Sequence, residues 1–265
     1  MPDSLNKYRS MRRFHETPEP AGAVKPVVGS RPIFVIQKHH ATQLHYDFRL
    51  EMEGVLKSWA VPRGPSYNPA EKRLAMMTED HPYEYAAFEG VIPGGNYGAG
   101  KVIIWDHGTW ELIEGDDPVK AVAAGNLKFR LAGLKMFGEW ALVRIKGRST
   151  KGNEWLLIKH RDAYANADVD VTEVAPLSVV SNVDVEEVTA ERTWISSRPA
   201  RTPARYARAG APTPKSETKE APKTPSSASS AARGSTSKKA KAPAAAKTSR
   251  KSPKSPAKRP QRATR

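Results

Sequence analysis

Every aromatic residue of the chain except Tyr206 lies before position 200. Aromatic and large aliphatic side chains supply most of the area that folding removes from water, so this boundary limits where a core can form. From Arg201 to Arg265 the sequence is dominated by Ala, Pro, Ser, Thr, Lys and Arg, with 18 Lys+Arg against 2 Glu. A segment with so little to bury cannot offset the chain entropy lost on folding, and residues 201–265 are expected to form a disordered tail. Its net charge is +16 and that of the whole chain is +15, which leaves residues 1–200 at −1. The basicity belongs to the tail. Its Lys-Ser-Pro and Ala-Pro-Ala steps resemble basic arms that bind nucleic-acid phosphates with release of counterions. The plainer reading is a solubilising tail or a tether.

The absence of cysteine excludes disulfides and thiolate metal sites, so any transition metal must use nitrogen and oxygen ligands. No run approaches the roughly 18 apolar residues of a membrane span, and MPDSLNKYRS has no apolar signal core. A soluble protein of the cytoplasm is expected.

Before position 200 the apolar residues recur with a period of two over short stretches. IFVIQ, the alternating run from Gln43, VLKSWAVP after a Glu53-Gly54 turn, RLAMMTED, NLKFRLAG, EWALVRIKG and NEWLLIKHRD all read as strands. KVIIWDHGTWELIE reads as two strands paired around Asp106–Gly108. DPVKAVAAG reads as a helix ended by Gly125, and KYRSMRRFHETPEPAG as a short helix stopped before Pro18. The expected fold is mainly β: a small closed antiparallel barrel with one or two short helices. The expected divisions are an N-terminal arm over 1–30, a barrel over 31–165, an acidic linker or packed extension over 166–200, and the tail.

Within HHATQLHYDFRLEME, residues 39–53, alternation turns Leu44, Tyr46, Phe48, Leu50 and Met52 toward a core. His45, Asp47 and Arg49 then share the other face, while Glu51 and Glu53 read as solvated edge residues. Positions i and i+2 lie roughly 6.6–6.8 Å apart along a strand, so His45 and Asp47 can lean on one cation, with Arg49 holding an anion beside it. Imidazole with carboxylate suits Mn, Fe, Co or Zn. A third ligand is needed, and His39 or His40 is nearest. On one straight strand His39 and His45 would be about 20 Å apart, so His39 can join only if the chain turns back within HHATQ. His107 and His160 read as structural histidines. HPYEY adds His81, a candidate acid or anion partner, and Tyr85, a candidate hydrogen-bond donor to a phosphate oxygen. IPGGNYGAG lacks the Lys-Ser/Thr ending of a phosphate loop; its glycines permit turns, with Tyr97 packing inward.

Taken together, FVIQKHHATQLHYDFRLEMEGVLKSWAVPRGPS, EDHPYEYAAFEGVIPGGNYGAGKVIIWDHGTW and WLLIKHRD resemble the 3′-phosphoesterase module of bacterial DNA ligase D. The resemblance runs from about residue 7 to 165. It implies a manganese-dependent hydrolase that removes a 3′-terminal ribonucleoside and then the 3′-phosphate, leaving a 3′-hydroxyl for end joining in the bacterial nucleoid. It further implies metal ligands at His39, His45 and Asp47, phosphate binding by Arg49 and His81, and an active-site role for Tyr85. Zn²⁺ or Co²⁺ would also suit the ligand set. Arg12, Glu19 and Arg63 match weaker substrate-binding positions. Between Arg12 and Glu19 the family pattern has an acid where this chain has Arg13, which puts the ribonucleoside step in question.

With no lysine-x-Asp-Gly adenylation motif, the sequence reads as a free-standing version of the module, its basic tail serving as the route to DNA. DNA ligase or end-binding repair proteins are the expected partners. The rival reading is a non-catalytic nucleic-acid-binding or ligase-recruiting repair factor.

Overall fold

The structure is a computed structural model that describes residues 4–22, 29, 31–147, 152–190 and the backbone of 194–195. The composition-based tail lies outside the described residues. The strands are β1 (Ile33–His40), β2 (Leu44–Met52), β3 (Val55–Val61), β4 (Lys72–Met77), β5 (His81–Pro82), β6 (Phe88–Ile92), β7 (Gly100–Leu112), β8 (Asn126–Ala132), β9 (Phe137–Arg144), β10 (Glu154–Lys159) and β11 (Trp194–Ile195). Neighbours follow the order β1-β2-β3-β4-β10-β9-β8-β7, and β7 pairs back onto β1. All these pairings are antiparallel, so the ladder closes into the expected antiparallel barrel, with eight strands. Among the described residues three short α-helices accompany it: α1 (Asn6–Ser10), α2 (Pro118–Ala124) and α3 (Val171–Val174). In α2, Asp117 accepts from the Val119 and Lys120 amides and Gly125 ends the helix with a left-handed φ of 83°. Among the described residues no helix is long and apolar enough to cross a membrane.

Alternation divides β1, β3 and β7 between two cores. Tyr46, Phe48, Leu50 and Met52 of β2 join Trp59, Trp105, Trp110, Phe129, Trp140 and Trp155 in one buried cluster, the barrel interior. Val35, Leu56, Val102 and Ile104 from the other face of the wall pack with Tyr8, Tyr85, Phe88 and Val179 in a second cluster. The outer face of β1 to β3 is therefore covered, by α1 and by residues 83–92. This explains why β2 is buried on both faces from Tyr46 onward. Two sequence expectations change as a result. Leu44 is 42% exposed rather than core, and Glu51 is only 5% exposed, its carboxylate accepting the Gly54 amide across the β2–β3 turn.

The stretch KVIIWDHGTWELIE is one strand, not a hairpin. Asp106 looks like a turn residue in sequence, but it is fully buried and accepts from the Leu134, Lys135 and Met136 amides, which fixes the β8–β9 connection. Gly108 lets β8 approach, since a Cβ there would lie 2.1 Å from the Ala132 carbonyl oxygen. A register shift against β1 between Ile36 and Gln37 absorbs the extra length.

Residues beyond the barrel pack onto it. Ala175 O accepts from Trp105 Nε1 at 2.7 Å and Lys135 Nζ at 2.8 Å, and Ser178 donates to Glu89 at 2.7 Å. Val185 and Val188 bury against Ile103, and Asp184 pairs with Lys38 at 2.8 Å.

Candidate active site

The β1–β2 hairpin gathers the ligand candidates. β1 ends at His40 and β2 begins at Leu44, so Ala41–Gln43 forms the fold-back that the sequence required. The register sets His39 opposite His45, Gln37 opposite Asp47 and Val35 opposite Arg49. Directly paired residues share a face, so these side chains lie together on the outside of the barrel wall. β3 extends that face, with Ser58 opposite Arg49 and Ala60 opposite Asp47. His40 has the other parity and turns away to pair with Glu186.

His39, His45 and Asp47 each offer a ligand atom, all within 4.8 Å of one another. Backbone carbonyls orient both rings. His39 Nε2 is 2.9 Å from Gly98 O and His45 Nδ1 is 2.9 Å from Gln43 O. A neutral imidazole donating through those nitrogens turns its unprotonated nitrogen on the carboxylate: His39 Nδ1 lies 3.5 Å from Asp47 Oδ2 and His45 Nε2 3.7 Å from Oδ1. Lone pairs facing a carboxylate at those distances want a cation between them. Carbonyl-held outer nitrogens are also the usual support of metal-bound histidine. The donor set thus fits a divalent transition metal. Burial would raise the Asp47 carboxyl, but the Arg49 guanidinium beside it overcomes that and holds it well below the usual carboxylate range.

Beside this cluster is a cationic half. Arg49 is 3% exposed and donates to Gln37 Oε1 at 2.8 Å, Ser58 Oγ at 2.9 Å and Asp47 Oδ2 at 3.0 Å. His81, on β5, has Arg49 Nη1 2.9 Å from Nδ1 and Arg12 Nη2 3.2 Å from Nε2. Burial first, and then these two guanidiniums, push its imidazolium well below the ordinary histidine range, so the ring is neutral near pH 7. Its Nδ1 is also 2.9 Å from the Glu79 carbonyl oxygen.

The N-terminal arm supplies the third part. Arg12 donates to Glu19 at 2.9 Å and to Glu79 at 3.2 Å, and stacks 3.8 Å over the Tyr8 ring. Tyr85 lies beneath Arg49, and its hydroxyl donates to Glu19 at 3.0 Å. The phenol is thus engaged with the arm, and burial pushes it well above its ordinary pKa. Arg13 points out to Glu16, away from this network. The second carboxylate on Arg12 is Glu79, two residues before His81.

Arg12, His39, His45, Asp47, Arg49, His81 and Tyr85 line one cavity of about 280 Å³, with Glu79, Tyr97 and Gly98. Glu19 is not on its surface; it supports Arg12 and Tyr85 from behind. Arg63 is exposed beyond β3 and does not line the cavity. Sequence reasoning missed Gln37, Ser58 and Glu79. Glu79 carried a signal, since it shares strand parity with His81 in EDHPYEY. Gln37 and Ser58 carried none, because they meet Arg49 only through strand pairing. Tyr97 does not pack inward; it is 47% exposed at the cavity rim.

Residues 37–144 match the family model of the DNA ligase D 3′-phosphoesterase domain. The multifunctional non-homologous end joining protein LigD of Pseudomonas aeruginosa is 46% identical over 223 residues, covering 82% of this chain and 26% of the relative. Its namesake from Mycobacterium bovis is 46% identical over 176 residues, 66% of this chain and 22% of the relative. That of Mycolicibacterium smegmatis is 46% identical over 166 residues, 60% and 21%. The chain spans about a quarter of the length of these relatives. Barrel, hairpin-borne ligand cluster and matched residues agree, and residues 37–144 of this chain belong to the DNA ligase D 3′-phosphoesterase domain family.

Proposed function

We propose that the chain is a metal-dependent phosphoesterase that processes 3′ ends of DNA in break repair by end joining, removing a 3′-terminal ribonucleoside and a 3′-phosphate to leave a 3′-hydroxyl. The observation that carries this reading is the Asp47 carboxylate, faced by two carbonyl-oriented imidazoles and flanked by Arg49. A cation site and an anion site side by side in one cavity suit a phosphate ester. The names of the relatives support the end-joining setting.

His39, His45 and Asp47 would hold Mn²⁺, with Zn²⁺ or Co²⁺ as alternatives. Bound there, the ion supplies Lewis-acid polarisation of a phosphoryl oxygen. Arg49, fixed by Gln37, Ser58 and Asp47, and Arg12, fixed by Glu19 and Glu79, neutralise the charge that grows on phosphate oxygens. Because both guanidiniums are held before substrate arrives, little reorganisation is needed at the moment of reaction. His81, neutral and lodged between them, is placed to hydrogen-bond a phosphate or leaving oxygen. Tyr85 keeps Glu19, and through it Arg12, in position. Arg63 is at most a contact to DNA outside the cavity. The basic tail binds DNA phosphates, the partners are a DNA ligase or end-binding repair proteins, and the setting is the bacterial nucleoid.

The test is incubation of the full chain with primer–templates ending in a 3′-phosphate or one 3′-ribonucleotide, with Mn²⁺ or with chelator. Metal-dependent release of phosphate and of the ribonucleoside is expected. DNA binding with no product under either condition would favour the non-catalytic, ligase-recruiting reading instead.

A further inference from the structure

We infer that Tyr97 is the stacking platform for the base of the 3′-terminal nucleotide, so that the site grips a nucleoside as well as its phosphate. This rests on the reaction proposed above and adds a specificity-determining residue to it. The cations and ligand candidates line the cavity, and the reaction proposed above puts the terminal phosphate among them. The nucleoside attached to that phosphate has to leave past the rim. There the chain places Tyr97, which is one of only four large hydrophobic side chains strongly exposed among the described residues and the one that borders the cavity.

The ring is presented rather than loose. Asn96 N bonds Pro93 O at 3.3 Å and Ala99 N bonds Asn96 O at 3.1 Å, so one turn leads up to Tyr97 and the next contains it. The next residue, Gly98, accepts from His39 Nε2 at 2.9 Å, which ties this loop to a ligand candidate. Gly100 anchors the far end, since a Cβ on it would fall 2.3 Å from His40 O. Arg12 lies over the Tyr97 ring, 5.5 Å from its centroid. With one face toward that guanidinium and 47% of the residue in solvent, the ring retains surface for a planar partner. A pre-placed aromatic costs little entropy on binding, and stacking accepts any base. An enzyme that trims ends of arbitrary sequence requires that tolerance.

The experiment uses the full chain with Mn²⁺ and two 3′-phosphorylated primer–templates, one with a normal 3′-terminal nucleotide and one whose terminal residue is abasic. The readout is the ratio of their kcat/KM values, and in parallel the ratio of their affinities by fluorescence anisotropy. Both oligonucleotides carry the same phosphates, so the basic tail affects both alike. Stacking of the usual strength gives wild type a preference of roughly 5- to 100-fold for the normal end. Tyr97→Ala should bring the ratio close to unity, and Tyr97→Phe, which keeps the ring, should retain it. An unchanged ratio in Tyr97→Ala, or no preference in wild type, overturns the inference. If wild type hydrolyses neither end, the proposed reaction fails, while the affinity ratio still decides the role of Tyr97.

Discussion

Arg49 shows how much one side chain of this site depends on its shape. Three different acceptors, Gln37, Ser58 and Asp47, receive its planar fork, and a lysine has neither the fork nor the number of donors. Arg49→Lys is therefore expected to lower kcat for 3′-phosphate release by about 100- to 1000-fold, the range for losing one pre-placed donor. Steady-state kinetics on a 3′-phosphorylated duplex would check it, and wild-type kcat would remove Arg49 from the site. Asp47→Asn keeps an acceptor for Arg49 but removes the charge, and His45→Ala removes a partly exposed donor. Both should weaken Mn²⁺ binding in calorimetric titration by more than about 100-fold, since even the outer partners of metal ligands reach that range, and should abolish phosphate release. Undiminished Mn²⁺ affinity in both would refute the ligand assignment. His81 adds a pH signature. Its folded pKa lies below the ordinary value, so as pH falls below about 6.5 the unfolded chain takes up a proton that the folded chain refuses. Stability should fall with pH from there downward, and His81→Asn should flatten the denaturation midpoints between pH 6.5 and more acidic values by the same sign. Parallel slopes in the two proteins would contradict it.

Among the elements, the β1–β2 hairpin makes the site and β7 holds the barrel shut. Glu53 and Gly54 both adopt positive φ, 53° and 78°, which matches the tight β2–β3 connection expected from sequence. The Ala41–Gln43 connection carries no such chemistry, and only pairing shows where it folds. β7 reads as a turn at Asp-His-Gly because an aspartate and a glycine within a strand are costly in isolation. Tertiary structure compensates them, the carboxylate taking three amides and the glycine making room for β8. Gly108→Ala should thus destabilise the fold by roughly 1–3 kcal/mol through overpacking, without touching the cavity. Thermal denaturation with kinetics measured well below the midpoint would separate the two effects; an unchanged midpoint would mean that β8 yields easily.

At the scale of the whole molecule, charge is unevenly divided along the sequence. Residues 201–265 carry 18 Lys+Arg against 2 Glu, whereas residues 1–200 are almost neutral. Deleting 201–265 is expected to weaken duplex binding and to flatten its dependence on salt, because fewer counterions are released per binding event. Binding isotherms at several salt concentrations would read both, and an unaltered slope would show that the barrel alone meets the phosphates.

The sequence by itself determined most of the barrel strands, the mainly β class, the residue types that share the His45–Asp47–Arg49 face and the family resemblance, since these depend on local periodicity, residue type and spacing. Tertiary structure alone decided the rest. Whether His39 reaches Asp47, which carbonyls set the histidine tautomers, that Glu79 and Glu19 share Arg12, and that Tyr97 faces outward are outcomes of pairing between distant segments. A linear pattern records which side chains share a face of one strand. It does not record which strand lies next to it.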